Sequence, residues 1–490
     1  MTMTDRTTTR WPGALPIDRR GALGCLGGAL SALAAPGPLR AETAPAPIRL
    51  SIGTIVRPLA PAPARPTTLL AIGGAMPAEP VRVRRGAPIT IEVTNGLDRP
   101  TGIHLYGLRG KAEADGVIGL SGEPIAPGET RRIVQSSPDA GAFWLHAMAP
   151  GETARQVERG LSGLFVIEEA SPPVVDHERP LVIDDIRLAP DGSVADDASG
   201  RLDAAMGGRL GNLLLANGAP APVAETLGGP GHRIRLRIVN ASNARLYPLR
   251  FEGFARAAVV AIDGHPCTPF DPLRRTVVAA PGSRFDVIAD LPALPGEEAV
   301  VAAQLGDMRL PLAAFRTGEA APARHDPAAA LEPNPLPDRI RLQTAWRTEL
   351  AIAGGLPREA VEAAADEAAL ARAAAERFPG GEPVFRLNHG FPSGFAGKPL
   401  FSVKRGTPVV VAIRNSTDWP QVIHLHGHVF RLLHAFDDGW EPYFLDTLYL
   451  PPGQLSRIAF DADNPGRWAI RSSILEHFEA GVATWYEVKG

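Results

Sequence analysis

Apolar and polar residues alternate in short runs along most of the chain. Val81/Val83, Ile89/Ile91/Val93 and Ile234/Leu236/Ile238 repeat with a period of two, the signature of strands that bury one face. Turn residues separate these runs: 51 glycines and 49 prolines make up about a fifth of the 490 residues, without a fixed period. Such punctuation predicts many short strands joined by turns rather than a helical bundle. One stretch departs from it. Residues 357–378 (PREAVEAAADEAALARAAAERF) are rich in alanine and glutamate, and the segment predicts one helix starting at proline. Its apolar residues are mostly alanine, so it is expected on the surface of an interdomain connection.

The pattern repeats. Residues 83–107 (VRRGAPITIEVTNGLDRPTGIHLYG) align without gaps on 403–427 (VKRGTPVVVAIRNSTDWPQVIHLHG), with eleven of 25 positions identical, among them Asn95/Asn415, His104/His424 and Gly107/Gly427. A second block follows in each copy. Pro127-Gly128 through Phe143-Trp144-Leu145-His146-Ala147-Met148 matches Pro452-Gly453 through Trp468-Ala469-Ile470-Arg471-Ser472-Ser473. A fainter third copy lies between them, in GHRIRLRIVN at 231–240 and PGSRFDV at 281–287. Three copies of one all-β unit, most simply a sandwich, are expected at 45–170, 175–325 and 335–490, with the helical insert at 357–378. The chain length fits roughly three domains of about 150 residues.

Residues 1–41 read as a twin-arginine signal peptide. Arg19-Arg20 precede an apolar, Gly- and Ala-rich run at 21–35, followed by small residues and prolines, which predicts export to the periplasm. The run falls short of the roughly 20 residues that span a bilayer, so no transmembrane span is expected in the mature protein. A formal net charge of −3, with both signs scattered, excludes a nucleic-acid binder working through a basic face. Cys25 and Cys267 are the only cysteines, which excludes a disulfide scaffold or a Cys-rich zinc site. Cys267 reads as a small buried residue. No phosphate loop, Gly-x-Ser-x-Gly or His-Glu-x-x-His motif is present.

All twelve histidines lie beyond residue 103. On a strand, His424, His426 and His428 would line one face. His104 and His424 hold matching positions of two homologous copies, which favours a site shared between them. Neutral imidazoles converging there suit copper or zinc.

These stretches together resemble the multicopper oxidase family, the laccase-like proteins of three cupredoxin repeats, over essentially all of 45–490. RGAPITIEVTNGLDRPTGIHLYGLRG, RIRLRIVNASNARLY, DWPQVIHLHGHVFRLLH and NPGRWAIRSSILEHFEAG occur in the family's order and spacing. The resemblance implies three cupredoxin-like β-sandwich domains of Greek-key topology. It also implies copper ligands that this chain largely lacks. The first motif, His-Trp-His-Gly in the family, is His104-Leu105-Tyr106-Gly107, and the His-x-His of the second is His146-Ala147-Met148. Gln421 stands where a mononuclear-site histidine precedes His424-Leu425-His426, and Arg471-Ser472-Ser473 replaces His-Cys-His. Of the mononuclear centre only His477 remains, with Val482 at the axial position.

A blue copper centre needs a thiolate and two imidazoles, so none is expected with Gln421, Ser472 and His477. Arg471 sets a permanent cation where the coupled copper pair sits in the family, opposing further dications there. His104 and His424 retain the type-2-like position, and with His146 and His426 nearby they could hold one copper or zinc, Tyr106 or Met148 contributing. The alternative is that all four are relics, hydrogen-bonded in a domain interface. No catalytic residue is assigned. The expected function is binding or scaffolding with a periplasmic protein partner, as in the copper-free cell-division members of the family. A copper-dependent oxidoreductase with a single type-2-like copper is the rival. Six methionines in the whole chain weaken a copper-storage role.

Overall fold

A computed structural model describes residues 46–490, apart from 150, 196–199, 338, 380–381, 389 and 391–393. The expected signal at 1–41 therefore lies outside the described residues. No helix among the described residues is long and apolar enough to cross a membrane.

Strands form where the alternation places them. Ile89–Asn95 buries Ile89, Ile91 and Val93 and leaves the intervening side chains partly exposed. Arg233–Asn240 alternates in the same way but is buried on both faces. Its polar face does not meet water: Arg235 bonds Glu169 and Asp286, and Arg233 bonds Asp290 at 2.7 Å. A buried guanidinium needs such partners to offset its lost hydration.

Among the described residues, six sheets pack as three sandwiches around three large apolar cores. The first core contains Ile91, Phe143, Trp144 and Phe165. The second contains Ile234, Phe251 and Val287, and the third Val411, Phe430, Trp468 and Tyr486. The same strand order recurs in each. The opening strand lies parallel to the first strand of the repeat block: Ile48–Arg57 on Ile89–Asn95, His177–Ile186 on Arg233–Asn240, and Trp346–Gly354 on Thr407–Ser416. In each facing sheet a second parallel pair recurs, Ala78–Arg84 with Ser162–Glu168, Val223–Leu227 with Met308–Thr317, and Ser402–Lys404 with Ala483–Lys489.

One buried asparagine closes the same turn three times. Asn95 Nδ2 donates to the carbonyls of Arg99 and Ile125, and its Oδ1 accepts from Leu97 N. Asn240 does the same with Arg245, Ala279 and Ser242 N, and Asn415 with Trp419, Leu450 and Thr417 N. The faint middle copy is thus a full copy of the unit.

The single helix expected at 357–378 is two, Arg358–Ala363 and Glu367–Arg377. Asp366 adopts an extended backbone between them, and its carboxylate accepts from Ala369 N at 2.7 Å. A side chain that caps a new helix competes with continuing the old one, and here the cap wins over alanine's helix propensity.

Candidate metal centre

Two strands of the first sandwich and two of the third supply the centre. Ile103–Tyr106 pairs with Gly141–Ala147, placing His104 directly opposite His146. Gln421–Leu425 pairs with Gly466–Ser472, placing His424 opposite Arg471. The four rings His104, His146, His424 and His426 are all buried. His426 stands between two of them, with centroids 4.5 Å from both His104 and His424, while His104 lies 5.3 Å from His146 and 6.3 Å from His424. The structure thus brings together all four histidines that the sequence singles out. Ligand atoms of His104, His424 and His426 lie within 4.8 Å of one another.

His428 does not join them. The strand ends at Leu425, and Gly427 turns the chain with φ +70°. The His428 ring goes instead to the Tyr486 hydroxyl, 2.7 Å away, and accepts from Asn464 N. Period-two reasoning holds only while the strand lasts.

Hydrogen bonds divide the four rings into two kinds. His104 Nδ1 donates to the Asp115 carbonyl at 2.6 Å, and His424 Nδ1 to the Asp446 carbonyl at 3.0 Å. The Nε2 atoms of both are buried and have no hydrogen-bond partner among the described residues. His426 Nδ1 donates to Asp115 Oδ2 at 2.8 Å, and His146 Nδ1 to the Ala147 carbonyl at 2.7 Å. Their Nε2 lone pairs are taken by one guanidinium: Arg471 Nε reaches His426 at 3.0 Å and Nη2 reaches His146 at 3.1 Å. Burial holds His104, His146 and His426 well below the ordinary imidazole range, and lowers His424. All four are neutral at physiological pH, the state that accepts at Nε2. Burial also lowers Arg471 to about 10, which still leaves it charged.

Tyr106 and Met148 stand back from the centre. The Tyr106 ring stacks on His424 at 3.7 Å, but its hydroxyl is shared with Thr447 and Ser473 at 2.7 and 2.6 Å. Met148 packs against Val117 and Ala469.

His477 lies elsewhere, on the short helix Leu475–Glu479. Its Nδ1 is 3.1 Å from the Gln421 amide and its Nε2 is 2.8 Å from the Met206 carbonyl. Burial lowers its pKa to about 4, so the ring is neutral and has one N–H to give. That proton goes to Met206, and Gln421 must present its NH2 to Nδ1. Ser472 Oγ accepts from Ile474 N.

Sequence reasoning missed Asp115 and Asp446. Asp115 orients two imidazoles at once, one through its carbonyl and one through its carboxylate. Asp446 orients His424 while its carboxylate binds Arg284 of the middle sandwich, with Nη1 to Oδ1 at 3.0 Å. Burial alone would raise Asp446, but Arg284 and His424 outweigh it and hold the carboxyl well below the usual range. The one signal available was Asp115-Gly116, a turn dipeptide close after the first motif. Gly116 has φ +79°, and a Cβ there would lie 2.4 Å from the Ile103 carbonyl.

Comparison with known proteins agrees with this frame. Residues 57–172 and 375–490 each match a family model described as multicopper oxidase. A crystal structure of a multi-copper oxidase from Pseudomonas thermotolerans superposes with a TM-score of 0.77 at 28% identity, covering 90% of this chain and 99% of that one. The chain belongs to the multicopper oxidase family. Multicopper oxidase MmcO of Mycobacterium tuberculosis is 28% identical over 88% of this chain and 86% of its own length. Cell division protein FtsP of Sodalis glossinidius is 29% identical over 59% of this chain and 62% of its own length. The relatives of this multicopper oxidase family member thus include both an oxidase by name and a cell-division protein.

Proposed function

We propose that the protein is an exported binding or scaffold protein that holds at most one copper or zinc ion, between His104 and His424. The observation that carries this reading is the pair of buried, unpartnered Nε2 atoms on those two rings. Leaving a buried acceptor unmade costs about 1–3 kcal/mol, and a single ion would satisfy both at once. Their Nδ1–H groups already point at carbonyls, the arrangement that fixes the ligating tautomer and raises basicity at Nε2. His146 and His426 can join only by releasing Arg471. A bound ion would supply Lewis acidity or, as copper, one-electron chemistry.

The other family centres do not fit the residues present. Gln421, Ser472 and His477 offer one imidazole and no thiolate, and both His477 nitrogens are engaged by protein groups. Arg471 lies where further dications would have to sit. The reading therefore has no blue copper centre and no relay of electrons from it. Export through the 1–41 segment, the domain bounds 45–170, 175–325 and 335–490, and a protein partner outside the cytoplasm belong to the same proposal. Similarity to FtsP supports it.

Calorimetric titration of copper and zinc into variants tests it. His104→Ala or His424→Ala abolishes tight binding, His146→Ala or His426→Ala weakens it, and His477→Ala leaves it unchanged. Loss of tight binding in His477→Ala alone would place the ion in the mononuclear pocket and overturn the assignment. The rival reading, a single-copper oxidoreductase, draws on the same two nitrogens, and oxygen uptake by copper-loaded protein with a phenolic reductant would establish it.

A further inference from the structure

A second histidine pair lies outside the centre, at one edge of the middle sandwich. His177 opens the strand His177–Ile186, and His232 precedes Arg233–Asn240, which runs parallel beside it. The pairing brings the two ring planes within 23° of parallel, with centroids 5.6 Å apart and His232 Nδ1 3.4 Å from His177 Nε2. Both residues are half-buried, so ions from solvent reach them.

The tautomers are set by the surroundings. His232 Nε2 donates to the Ala321 carbonyl at 2.9 Å, so in the neutral ring Nδ1 carries a lone pair, and that lone pair faces His177. At 3.4 Å the contact is longer than a good N–H hydrogen bond, about 2.7–3.2 Å. It is close to the separation of two imidazole nitrogens on one tetrahedral ion, about 3.3 Å for bonds of 2.0–2.1 Å.

On one side the backbone lies close against these nitrogens, so an ion has to enter from the other. Gly228, with φ +43°, passes over the pair, and a Cβ there would lie 2.2 Å from His232 Nδ1 and 2.6 Å from His177 Nε2. Any other residue would fill the space against both atoms. Asp176 and Glu225 act on His177 electrostatically in favour of a cation, and Arg179, which bonds Glu225 at 2.8 Å, acts against one. Asp176 Oδ2 is held by Arg233 N at 2.6 Å and by His325 at 2.8 Å, so its charge stays at the rim of the site.

We infer that His177 and His232 form a peripheral site for a divalent transition metal such as zinc. In the metal-free protein His177 Nε2–H can donate to His232 Nδ1. On binding, His177 moves that proton to Nδ1 and both rings remain neutral, so the ion brings its own charge and no proton leaves. Water completes its coordination from the open side. With two half-exposed protein ligands the site binds more weakly than a buried one and exchanges freely with solvent.

Equilibrium dialysis of the full chain against zinc chloride, comparing bound zinc in wild type and variants, tests this. Losing one outer contact to a metal ligand already costs about tenfold or more in affinity. His177→Gln and His232→Gln should therefore each bind one zinc fewer than wild type at micromolar concentration. His325→Gln, which changes a neighbour of Asp176 but no ligand, should bind as wild type does. Circular dichroism checks that each variant is folded, and pairing the two Gln variants guards against failure of either. Equal zinc uptake in wild type and both Gln variants would overturn the inference. Because the readout is a difference between chains with an intact interior, it stands or falls separately from the His104–His424 proposal.

Discussion

Arg471 Nη2 lies 3.1 Å from His146 Nε2, and these two residues hold the same position in two copies of one repeat. Each sits opposite the repeat's histidine, His146 across from His104 and Arg471 across from His424. One copy thus offers a lone pair where the other offers a donor fork, and the interface between the first and third sandwiches closes on itself. A guanidinium can hold two acceptors in a fixed plane, which a lysine cannot.

Replacing Arg471 with leucine strands the Nε2 atoms of His146 and His426 in a buried interface. The expected loss is about 1–3 kcal/mol in equilibrium unfolding, partly offset by no longer burying a charge. The same substitution frees two imidazoles, so copper affinity should rise as stability falls. An unchanged melting temperature together with unchanged copper affinity would mean that the guanidinium does not bridge the domains.

Colour tests the mononuclear position. With serine at 472, copper-loaded protein should lack the intense sulfur-to-copper absorption band. Ser472→Cys alone should not restore it, because His477 gives its proton to Met206 and meets the Gln421 amide on its other side. A blue wild-type preparation would show that the ligands lie elsewhere.

Arg284 ties the middle sandwich to the third through Asp446, and it also lies 3.7 Å from Asp263. All three side chains are buried. Burial, then the neighbouring Asp446 charge, raises Asp263 to about 7, with Arg284 acting against both. Arg284→Met leaves carboxylates unpaired in the interior, a loss of about 3–5 kcal/mol. Chemical denaturation would measure it, and a loss below about 1 kcal/mol would show that solvent reaches the cluster.

Acid should stabilise the junction around the helix Leu475–Glu479. Burial raises Glu476 and Glu479 to about 7 from an ordinary 4.5. Below the ordinary value both folded and unfolded chains hold the protons. As pH climbs towards 7 the unfolded chain releases them first, so stability present in acid is lost through that window. The two carboxyls thus each contribute a loss of on the order of 1–3 kcal/mol between about pH 4.5 and 7, against the opposite slope that the buried, neutral histidines contribute below their ordinary pKa. Glu479→Gln should flatten the trend, since its amide oxygen can still accept from Ala154 N as the carboxylate does. A stability difference between wild type and Glu479→Gln that does not change with pH across this range would show that this carboxyl is already ionised when folded.

The sandwiches were legible because burial leaves a period in the sequence and the repeat supplies the pairing. Matching His104 to His424 across copies was enough to bring them to one interface. Arg471 was legible as a charge in that interface, but its two acceptors were fixed only by the register of Gly466–Ser472 against Gln421–Leu425. The roles of the Asp115 and Asp446 carbonyls were not legible, because every residue has a carbonyl and no side-chain pattern marks which one faces a ring. Composition misled at 357–378, where one aspartate among alanines capped a second helix. His177 and His232 lie 55 residues apart, and only the parallel pairing of their strands brings them together.

The asparagine turn has a consequence for kinetics. Asn95, Asn240 and Asn415 make the same set of bonds in three sandwiches, so Asn→Ala at each is one perturbation applied at three matched places. Comparing how each change divides between slower folding and faster unfolding would rank the sandwiches by when they assemble. Few chains carry such an internal control, and here it comes from a side chain whose ordinary task is to close a bend.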